Sequence, residues 1–250
     1  MEIFVPLESS VKEAARVLQE AESKRVTIRL LGGLAFYFRC PSAKNPNLTR
    51  EYGDLDIIGH LKESRGIKVL FADLGYTPRA RFNALQGQRR LIFEDEANRR
   101  RVDVFLDIFE MCHKFDFSKR LDVDRYTLPL ADLLVTKLQI VEINTKDIKD
   151  VLSLLLDYEV GTTDVSQING EYIAKLCGSD WGFYRTFTAN LDKLIVQAES
   201  CGLTEAELKL VADHIGKLKG MIETVPKSTG WKMRARVGDR VRWYELPEET

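Results

Sequence analysis

The sequence has few of the residues from which disulfide or zinc frameworks are built. It contains 4 cysteines and 3 histidines in 250 residues, with no CxxC pair and no ligand-like spacing between cysteine and histidine. This scatter argues against a secreted disulfide scaffold and a zinc site, and it predicts ordinary thiols in a reducing compartment. No apolar run approaches the ~18 residues that a membrane-spanning helix needs. The N-terminus lacks the basic and apolar regions of a signal peptide. We therefore expect a cytoplasmic protein with no membrane partner.

An excess of charge of one sign is also absent. The 37 Lys and Arg residues nearly balance 38 Asp and Glu residues, which gives a net charge of -1. This balance excludes a uniformly basic nucleic-acid wrapper and an acidic tail protein, although local patches are compatible with it. The hydrophobic fraction of 44% is typical of globular proteins. Length and composition thus predict one large domain or two smaller ones.

Apolar spacing and turn residues predict an α/β arrangement in the first half of the chain. A capping-box spacing at Ser10 and a helical repeat of apolar residues predict a helix that ends near Lys24. Glycine pairs, prolines and polar stretches separate the elements that follow. The polar stretch before the last strand is typical of a hairpin connection. The further predicted elements are strands at 26–31, 55–58, 89–93 and 102–106, and helices at 34–39 and 62–74.

From Leu130 onward the apolar spacing is helical. Near the end of the chain, Gly238 and Asp239 separate two segments of alternating basic and apolar residues, a pattern that predicts a β-hairpin. The fold class is therefore α+β or α/β, with a small mixed sheet, a helical domain and a hairpin tail. A boundary near 118–129 divides the chain into domains 1–120 and 121–225 and a tail, 226–250. The predicted helices of the second domain are 130–143, 146–158, 169–177, 181–200 and 205–224, with Gly178 and Gly202 as helix stops.

The triplet Asp54-Leu55-Asp56 carries the strongest chemical signal. Side chains alternate along a strand, so both carboxylates are expected on one face. Two carboxylates so close repel each other unless a cation lies between them. Carboxylate oxygens are ligands that Mg²⁺ prefers, and Mg²⁺ leaves coordination positions for water and phosphate. The triplet therefore predicts a magnesium site.

Two further features point to the same chemistry. Asp103 interrupts an apolar strand, where an acid is costly unless it joins the metal site or acts as a base. Asp107 lies four residues on and is a rival for this role. Gly32-Gly33 separates a strand from a helix, and glycine lets backbone N–H groups approach phosphate oxygens at a helix N-terminus.

The set formed by Gly32-Gly33, Asp54-x-Asp56 and Asp103 resembles the nucleotidyltransferase fold superfamily of DNA polymerase beta type. Within it, the chain resembles abortive-infection type bacterial nucleotidyltransferase toxins and their uncharacterised relatives. This closer resemblance lies in the segment around Lys137 and in Lys146-Asp147-x-x-Asp150. The resemblance covers residues 25–157. It departs from the family pattern at Gly33, where many members have serine.

The resemblance implies an enzyme that moves a nucleoside monophosphate from an NTP, such as ATP, to an acceptor hydroxyl. It implies that Asp54, Asp56 and Asp103 bind Mg²⁺ ions and that Asp103 helps to deprotonate the acceptor. Gly32 and Gly33 would bind phosphates. Lys137, with Arg50 as a further candidate, would offset the charge of the triphosphate from the helical domain. The acceptor could be an RNA 3′ end, a small molecule or a protein, and an antitoxin is a further partner that the resemblance suggests.

Each of these assignments has a structural alternative. Asp103 could pair with the arginines at 99–101, and Lys137 could be an exposed helix lysine with no role in folding or function. Asp147 is explained by helix capping and surface pairing. The aromatic and basic tail could contact RNA, although packing on the helical domain is favoured. At the level of function, the alternatives are a non-catalytic nucleotide-binding or toxin–antitoxin module and a metal-dependent phosphohydrolase, which the paucity of histidine disfavours.

Overall fold

We describe residues 5–246 of a computed structural model of the chain. Residues 1–4, on which the signal-peptide expectation partly rests, and residues 247–250 of the predicted tail lie outside the described residues. The chain forms two compact units. The first contains the residues up to Ala35, Glu51–Phe109 and Phe115–Leu128, and the second contains Phe36–Arg50, Glu110–Lys114 and the residues from Pro129 onward. Two segments that the sequence division placed in the first domain therefore belong to the second unit.

A mixed sheet forms the centre of the first unit, as predicted. The strands are β1 (Ile28–Leu31), β2 (Leu55–Gly59), β3 (Thr77–Pro78), β4 (Arg90–Asp95), β5 (Arg100–Leu106), β6 (Ile108–Glu110) and β7 (Lys114–Asp116), and the helices are α1 (Ser10–Ser23), α2 (Gly32–Arg39), α3 (Ser64–Asp73) and α4 (Ala80–Gln86). The unit division cuts three of these elements, since the residues of α2 from Phe36 onward, Glu110 of β6 and Lys114 of β7 belong to the second unit. β2 and β5 pair in parallel, whereas β1 with β2, β4 with β5 and β3 with β4 pair antiparallel. The strand order is β1-β2-β5-β4-β3, with β6 and β7 beside β5. The predicted hairpin is confirmed as β4–β5.

Helix α1 begins with a different cap from the one that its spacing predicts. Ser9, not Ser10, is the N-cap and accepts a hydrogen bond from the Lys12 N–H. Glu13 is fully buried instead of closing a capping box, and its carboxylate accepts hydrogen bonds from Arg16 and from the Tyr76 hydroxyl at 2.6 Å. Burial by itself raises the pKa of Glu13, but these hydrogen bonds outweigh it and the pKa lies below its ordinary value.

Helix α4 is a short element that the sequence pattern does not predict. None of its residues is buried, so its sequence has no apolar repeat to indicate a helix. Its tie to the sheet is polar. The Asn83 side chain donates to the Ile92 carbonyl at 3.0 Å and accepts from the Ile92 N–H at 2.8 Å. Helix α4 is therefore positioned by hydrogen bonds between its Asn83 side chain and the backbone of β4, a contact that its own sequence does not indicate.

The second unit is helical. All residues of its first helix are buried, and Asn144 caps the next one by accepting hydrogen bonds from the Lys146 and Asp147 N–H groups. The capping box of Thr204 and Glu207 is formed. No helix within residues 5–246 is long and apolar enough to cross a membrane. The elements are α5 (Leu130–Leu138), α6 (Thr145–Asp157), β8 (Val160–Gly161), β9 (Ile168–Asn169), α7 (Gly170–Ser179), α8 (Trp181–Ser200), α9 (Glu205–Thr224) and α10 (Thr229–Val237).

Two helix ends in the second unit differ from prediction. Helix α5 ends at Leu138 and not at 143, because Asn144 caps a new helix. Gly178 does not stop α7, which continues to Ser179. Gly202, in contrast, follows α8 with a φ of 70°, in agreement with a glycine helix stop.

The predicted tail hairpin is wrong over the described residues. Ser228 caps helix α10 by accepting a hydrogen bond from the Trp231 N–H, and Gly238, with a φ of 61°, follows the helix. The alternating pattern was misleading because basic residues two apart are also compatible with a short helix whose side chains are mostly exposed. After α10, the aromatic side chains pack within the second unit, where the Trp243 indole donates to the Thr186 hydroxyl at 3.0 Å. This is the packing that the sequence favoured over RNA contact.

A buried histidine makes the stability of the second unit dependent on pH. His113 Nε2 lies 2.9 Å from the same Thr186 hydroxyl, and burial lowers the pKa of His113 below its ordinary value of 6.5. As the pH falls below 6.5, His113 therefore binds a proton more readily in the unfolded chain than in the folded unit. The stabilising contribution of neutral His113 is complete above pH 6.5 and is lost as the pH falls from there toward the folded pKa.

We expect the free energy of unfolding to fall less steeply between about pH 7.5 and 5.5 in His113→Gln than in the unsubstituted protein, because glutamine does not titrate there. Urea denaturation followed by tryptophan fluorescence measures this, since all three tryptophans belong to the second unit. Equal slopes for the two proteins would contradict the assignment.

Candidate active site

Two of the predicted acids lie side by side in the first unit. Asp56 on β2 is in register with Asp103 on β5, and the two strands are parallel. Neighbouring strands are about 4.8 Å apart, and residues in register point to the same face of a sheet. Asp56 is half-buried and Asp103 is 2% exposed. The pairing of β2 with β5 therefore brings together two carboxylates that are distant in the chain.

Asp54 lies at the end of the same strand pair but in a different setting. It precedes β2 and is exposed, and its Oδ1 accepts a hydrogen bond of 3.0 Å from the backbone N–H of Arg101. The side chain thus continues the β2–β5 hydrogen bonding by one position beyond the strand. This bond holds Asp54 beside Arg101, which precedes Asp103 on β5.

The glycine pair lies directly behind Asp56. Gly32 begins α2 with a φ of 62°, and a Cβ at this position would lie 2.0 Å from Asp56 Oδ2. Only glycine combines this backbone conformation with so close an approach. Gly33 is the second residue of α2, where the N–H groups of the first turn have no partners within the helix. The start of α2 therefore places backbone donors near one of the candidate metal ligands.

Asp103 is bound by two arginines. Its Oδ1 accepts from Arg90, whose Nε and Nη2 lie at 3.0 Å and 2.8 Å, and its Oδ2 lies 2.8 Å from Arg101 Nε. Arg90 lies two residues from Ile92, the β4 partner of Asp103, and so occupies the same face. The pairing with Arg101 is the salt bridge that the sequence offered as the alternative interpretation of Asp103.

The three acids have the oxygen chemistry that Mg²⁺ prefers, and Asp56 and Asp103 lie in register on neighbouring strands. Within residues 5–246, however, no group of three or more His, Cys, Asp or Glu side chains is gathered so as to hold a metal ion. The guanidinium groups of Arg90 and Arg101 occupy the oxygens of Asp103 that a cation would use. A divalent ion must therefore compete with an arginine for Asp103.

Asp107 does not share this site. Strand β5 ends at Leu106, and Asp107 has a φ of 57°, so the alternation along the strand does not extend to it. Its Oδ1 lies 3.0 Å from His60 Nδ1 and its Oδ2 accepts from the Leu61 N–H. The expectation that Asp107 shares the face of Asp103 is wrong, and His60, which the sequence left without a partner, is paired here.

In the second unit, Lys137 and Arg50 converge on the acids of the Lys146-Asp147-x-x-Asp150 motif. Lys137 Nζ lies 2.6 Å from Asp147 Oδ1 and 2.9 Å from Asp150 Oδ2. Arg50 binds Asp150 with two hydrogen bonds, Nε to Oδ1 at 2.9 Å and Nη2 to Oδ2 at 2.8 Å. We call Lys137, Arg50, Asp147 and Asp150 the buried ion cluster.

The buried ion cluster overturns the interpretation of Lys137 as an exposed lysine, because the side chain is about one-tenth exposed. Burial lowers the pKa of its ammonium, but Asp150 and Asp147 outweigh burial and the pKa lies above its ordinary value. Asp147 is likewise buried and is not explained by surface pairing. Lys137 therefore remains charged, and its ammonium group offsets the negative charge of the buried Asp147 and Asp150 carboxylates.

Arg90 was not identified from the sequence as a partner of Asp103. The useful signal was positional. In a β4–β5 hairpin of this register, Arg90 and Asp103 share a face, whereas Arg79 pairs with Glu94. Such a prediction needs the register of the hairpin, which the spacing alone did not supply.

We expect Gly32→Ala to lower the free energy of unfolding by about 1–3 kcal/mol, because alanine is strained at this φ and its Cβ collides with Asp56. Urea denaturation measures the loss. Gly53→Ala is the matched control in the same unit, since a Cβ there meets nothing within 4 Å. Equal stability of the two variants would contradict the close approach of Gly32 to Asp56.

We expect Lys137→Met to cost about 3–5 kcal/mol of stability, because it leaves Asp147 buried without a cation. Lys146→Met, at an exposed position of α6, should change stability by less than about 0.5 kcal/mol. Denaturant unfolding of the two variants compares them directly. A Lys137 variant as stable as the Lys146 variant would mean that the buried ion cluster does not stabilise the second unit.

Comparison with known proteins provides no independent assignment of this site: no protein-family model matches the chain, and no curated protein or solved structure matches it. The chemistry of the site is therefore argued from its residues. Asp56 and Asp103 lie in register, and Asp54 lies at the end of the same strand pair. The absence of a Cβ at Gly32 lets the start of α2 approach Asp56, and two arginines pair with the buried Asp103.

Proposed function

We propose that the chain is a magnesium-dependent nucleotidyltransferase that moves a nucleoside monophosphate from an NTP to an acceptor hydroxyl. The observation that carries the proposal is the register of Asp56 with Asp103, next to a helix start that approaches Asp56 through Gly32. Neighbouring carboxylates favour a cation between them, and the first turn of a helix favours an anion. A metal–phosphate substrate combines these two charges.

In this proposal Asp54, Asp56 and Asp103 hold the metal. Bound Mg²⁺ would offset the charge of the triphosphate and polarise the phosphorus that is attacked. Of the two acids in register, Asp56 is the more accessible, since it is half-buried whereas Asp103 is 2% exposed. Asp103 must first release Arg101 or Arg90, and the released arginine keeps a positive charge beside the site.

The same proposal gives the phosphates two sets of partners from the first unit. Backbone N–H groups at the start of α2, where Gly32 and Gly33 lie, donate to phosphate oxygens. Arg90 and Arg101 offset the negative charge that the substrate brings. Lys137 and Arg50, which the family resemblance assigns to the triphosphate, could take part only by exchanging their acids in the buried ion cluster for phosphate.

One observation favours a second candidate, a non-catalytic nucleotide-binding or toxin–antitoxin interaction module. Asp103 is charge-balanced by Arg90 and Arg101 without any metal ion. A binding module needs no metal at this position, whereas an enzyme must open these ion pairs. The two candidates therefore differ in whether Mg²⁺ competes with arginine for Asp103.

We expect Asp56→Asn to reduce nucleotidyl transfer by about 100-fold or more, because it removes a ligand charge from the proposed metal site. The melting temperature should stay about the same, because Asn has nearly the same shape as Asp and the position is half-buried. The assay incubates the full chain with each α-phosphate-radiolabelled NTP, Mg²⁺, and total cellular RNA, protein or small hydroxylated metabolites. Asp122→Asn, at an exposed position of the same unit, is the matched control.

Each outcome decides between the candidates. Transfer by the unsubstituted chain that EDTA and Asp56→Asn abolish supports the enzyme, and the labelled fraction identifies the acceptor class. Full transfer by a folded Asp56→Asn variant would refute the role of Asp56. Nucleotide binding with no transfer to any fraction would support the interaction module.

A further inference from the structure

All three tryptophans of the chain line one cavity in the second unit. The cavity has a volume of about 430 Å³ and lies where the start of α8 meets α10 and the residues that follow it. We call it the tryptophan pocket and define it by Trp181, Trp231, Trp243, Tyr244, Arg234 and Arg242. Its volume falls within the roughly 300–1,000 Å³ of small-ligand pockets.

These aromatic rings also pack within the second unit, where Trp231 lies edge-on to Tyr184 and Trp181 lies edge-on to Trp243. Trp243 donates its indole N–H to Thr186, and Arg234 lies 4.6 Å from the ring centre of Trp181 and donates to the carbonyls of Gly238 and Val241. Trp231 Nε1, in contrast, is buried and has no hydrogen-bond partner within residues 5–246. A buried indole N–H without an acceptor costs free energy. A bound acceptor atom would reach this N–H only if the side chains around Trp231 move, because the atom itself is not exposed to solvent.

The segment that supplies most of the tryptophan pocket is basic, although the acids Asp180 and Glu245 also line the cavity. Residues 227–246 contain six Lys and Arg residues against two Asp and Glu residues, a net charge of +4 in a chain whose net charge is -1. One of the two acids, Asp239, is paired with Arg185. Within residues 227–246, four exposed cations have no acid within ion-pair distance in the described part of the chain: Lys232, Arg236, Arg240 and Arg242.

Aromatic side chains around one cavity and unpaired cations on the same segment together fit an unpaired nucleobase with its phosphates. Aromatic side chains stack on bases of any sequence, and Lys and Arg follow the phosphate backbone. A duplex hides the base faces, so stacking of this kind selects single strands. Met233 and Val241 are exposed on the same segment, as in a membrane-surface helix, but the tryptophans line a cavity instead of lying on the outer face.

We propose that the tryptophan pocket and its basic rim bind single-stranded nucleic acid, with one unpaired base in the pocket and adjacent phosphates on the exposed arginines. This binding site is separate from the carboxylates of the first unit and does not depend on nucleotidyl transfer. It needs neither Mg²⁺ nor an NTP.

The test measures binding of a fluorescein-labelled RNA of about 12 nucleotides to the full chain by anisotropy, in EDTA and without NTP, a length within the site sizes of single-strand binding folds. Single-stranded DNA of the same sequence, the matching RNA duplex and anionic phospholipid vesicles are the comparison ligands. Because the only tryptophans line the pocket, quenching of intrinsic fluorescence reports its occupancy. The RNA and DNA arms show whether the 2′-hydroxyl contributes.

Two sets of substitutions separate the contributions of charge and stacking. Replacing Arg236, Arg240 and Arg242 by Gln should weaken binding about tenfold or more and flatten the dependence of log K on log salt by about 0.7 for each phosphate that no longer meets a cation. Trp231→Ala should weaken binding about tenfold with an unchanged salt slope, and Trp231→Phe should recover part of the affinity by restoring a ring. The triple Gln variant of Lys175, Lys209 and Lys217, exposed lysines of the same unit, is the charge-matched control and should bind as the unsubstituted chain does.

The proposal fails if no single strand binds at about 50 mM salt, where phosphate contacts are strong. It also fails if the duplex binds as tightly as the single strand, or if the control variant binds as weakly as the arginine variant. Binding to vesicles in preference to RNA and DNA would identify a lipid surface instead. Binding without quenching of tryptophan fluorescence would show that no base enters the pocket, and it would overturn the proposed mode of binding. Failure of nucleotidyl transfer would leave this result unchanged, because the binding assay contains no Mg²⁺.

Discussion

The need of each buried carboxylate for a cation is the constraint on which both units depend. An isolated charge in a protein interior lowers the stability of the fold unless an oppositely charged partner lies close to it in good geometry. In the first unit, Arg90 and Arg101 balance Asp103 on the central strand of the sheet. In the second unit, Lys137 and Arg50 balance the acids of α6. The structure therefore places these cations where its acids are buried.

The ion pairs of Asp103 determine which change the candidate active site needs before it can bind a metal ion. A carboxylate that already has two guanidinium partners has no need of a metal for charge balance, so metal binding is an exchange. Asp56 is half-buried and lies next to Asp103, so a cation bound there would be shared between the two acids only after such an exchange. The proposed enzyme and the proposed binding module share this geometry and differ only in the outcome of that exchange. The backbone near Gly32 serves either role, since N–H groups bind phosphate with or without catalysis.

The second unit combines a neutralised interior with a basic and aromatic edge. Its buried ion cluster is compensated internally, which leaves the exposed arginines after Ser228 as a separate source of positive potential. Trp231 and Trp243 line a cavity in the same part of the unit, so a ligand can contact both the aromatic rings and these charges. A site for acidic, planar ligands can thus exist in a chain whose total charge is close to zero, because potential depends on where charges lie and not on their sum.

The sequence by itself determined the local elements and the chemical character of the first site. Apolar period predicted helices α5 to α9 of the second unit, and the polar connection predicted the β4–β5 hairpin, because these elements depend on neighbouring residues. It also singled out Asp56 and Asp103 as acids that apolar strands must accommodate. Tertiary structure alone decided their partners. Whether Asp103 meets Arg90, whether Lys137 is buried, and whether the segment after Ser228 forms a helix or a hairpin all depend on contacts between residues distant in the chain, which no local pattern encodes.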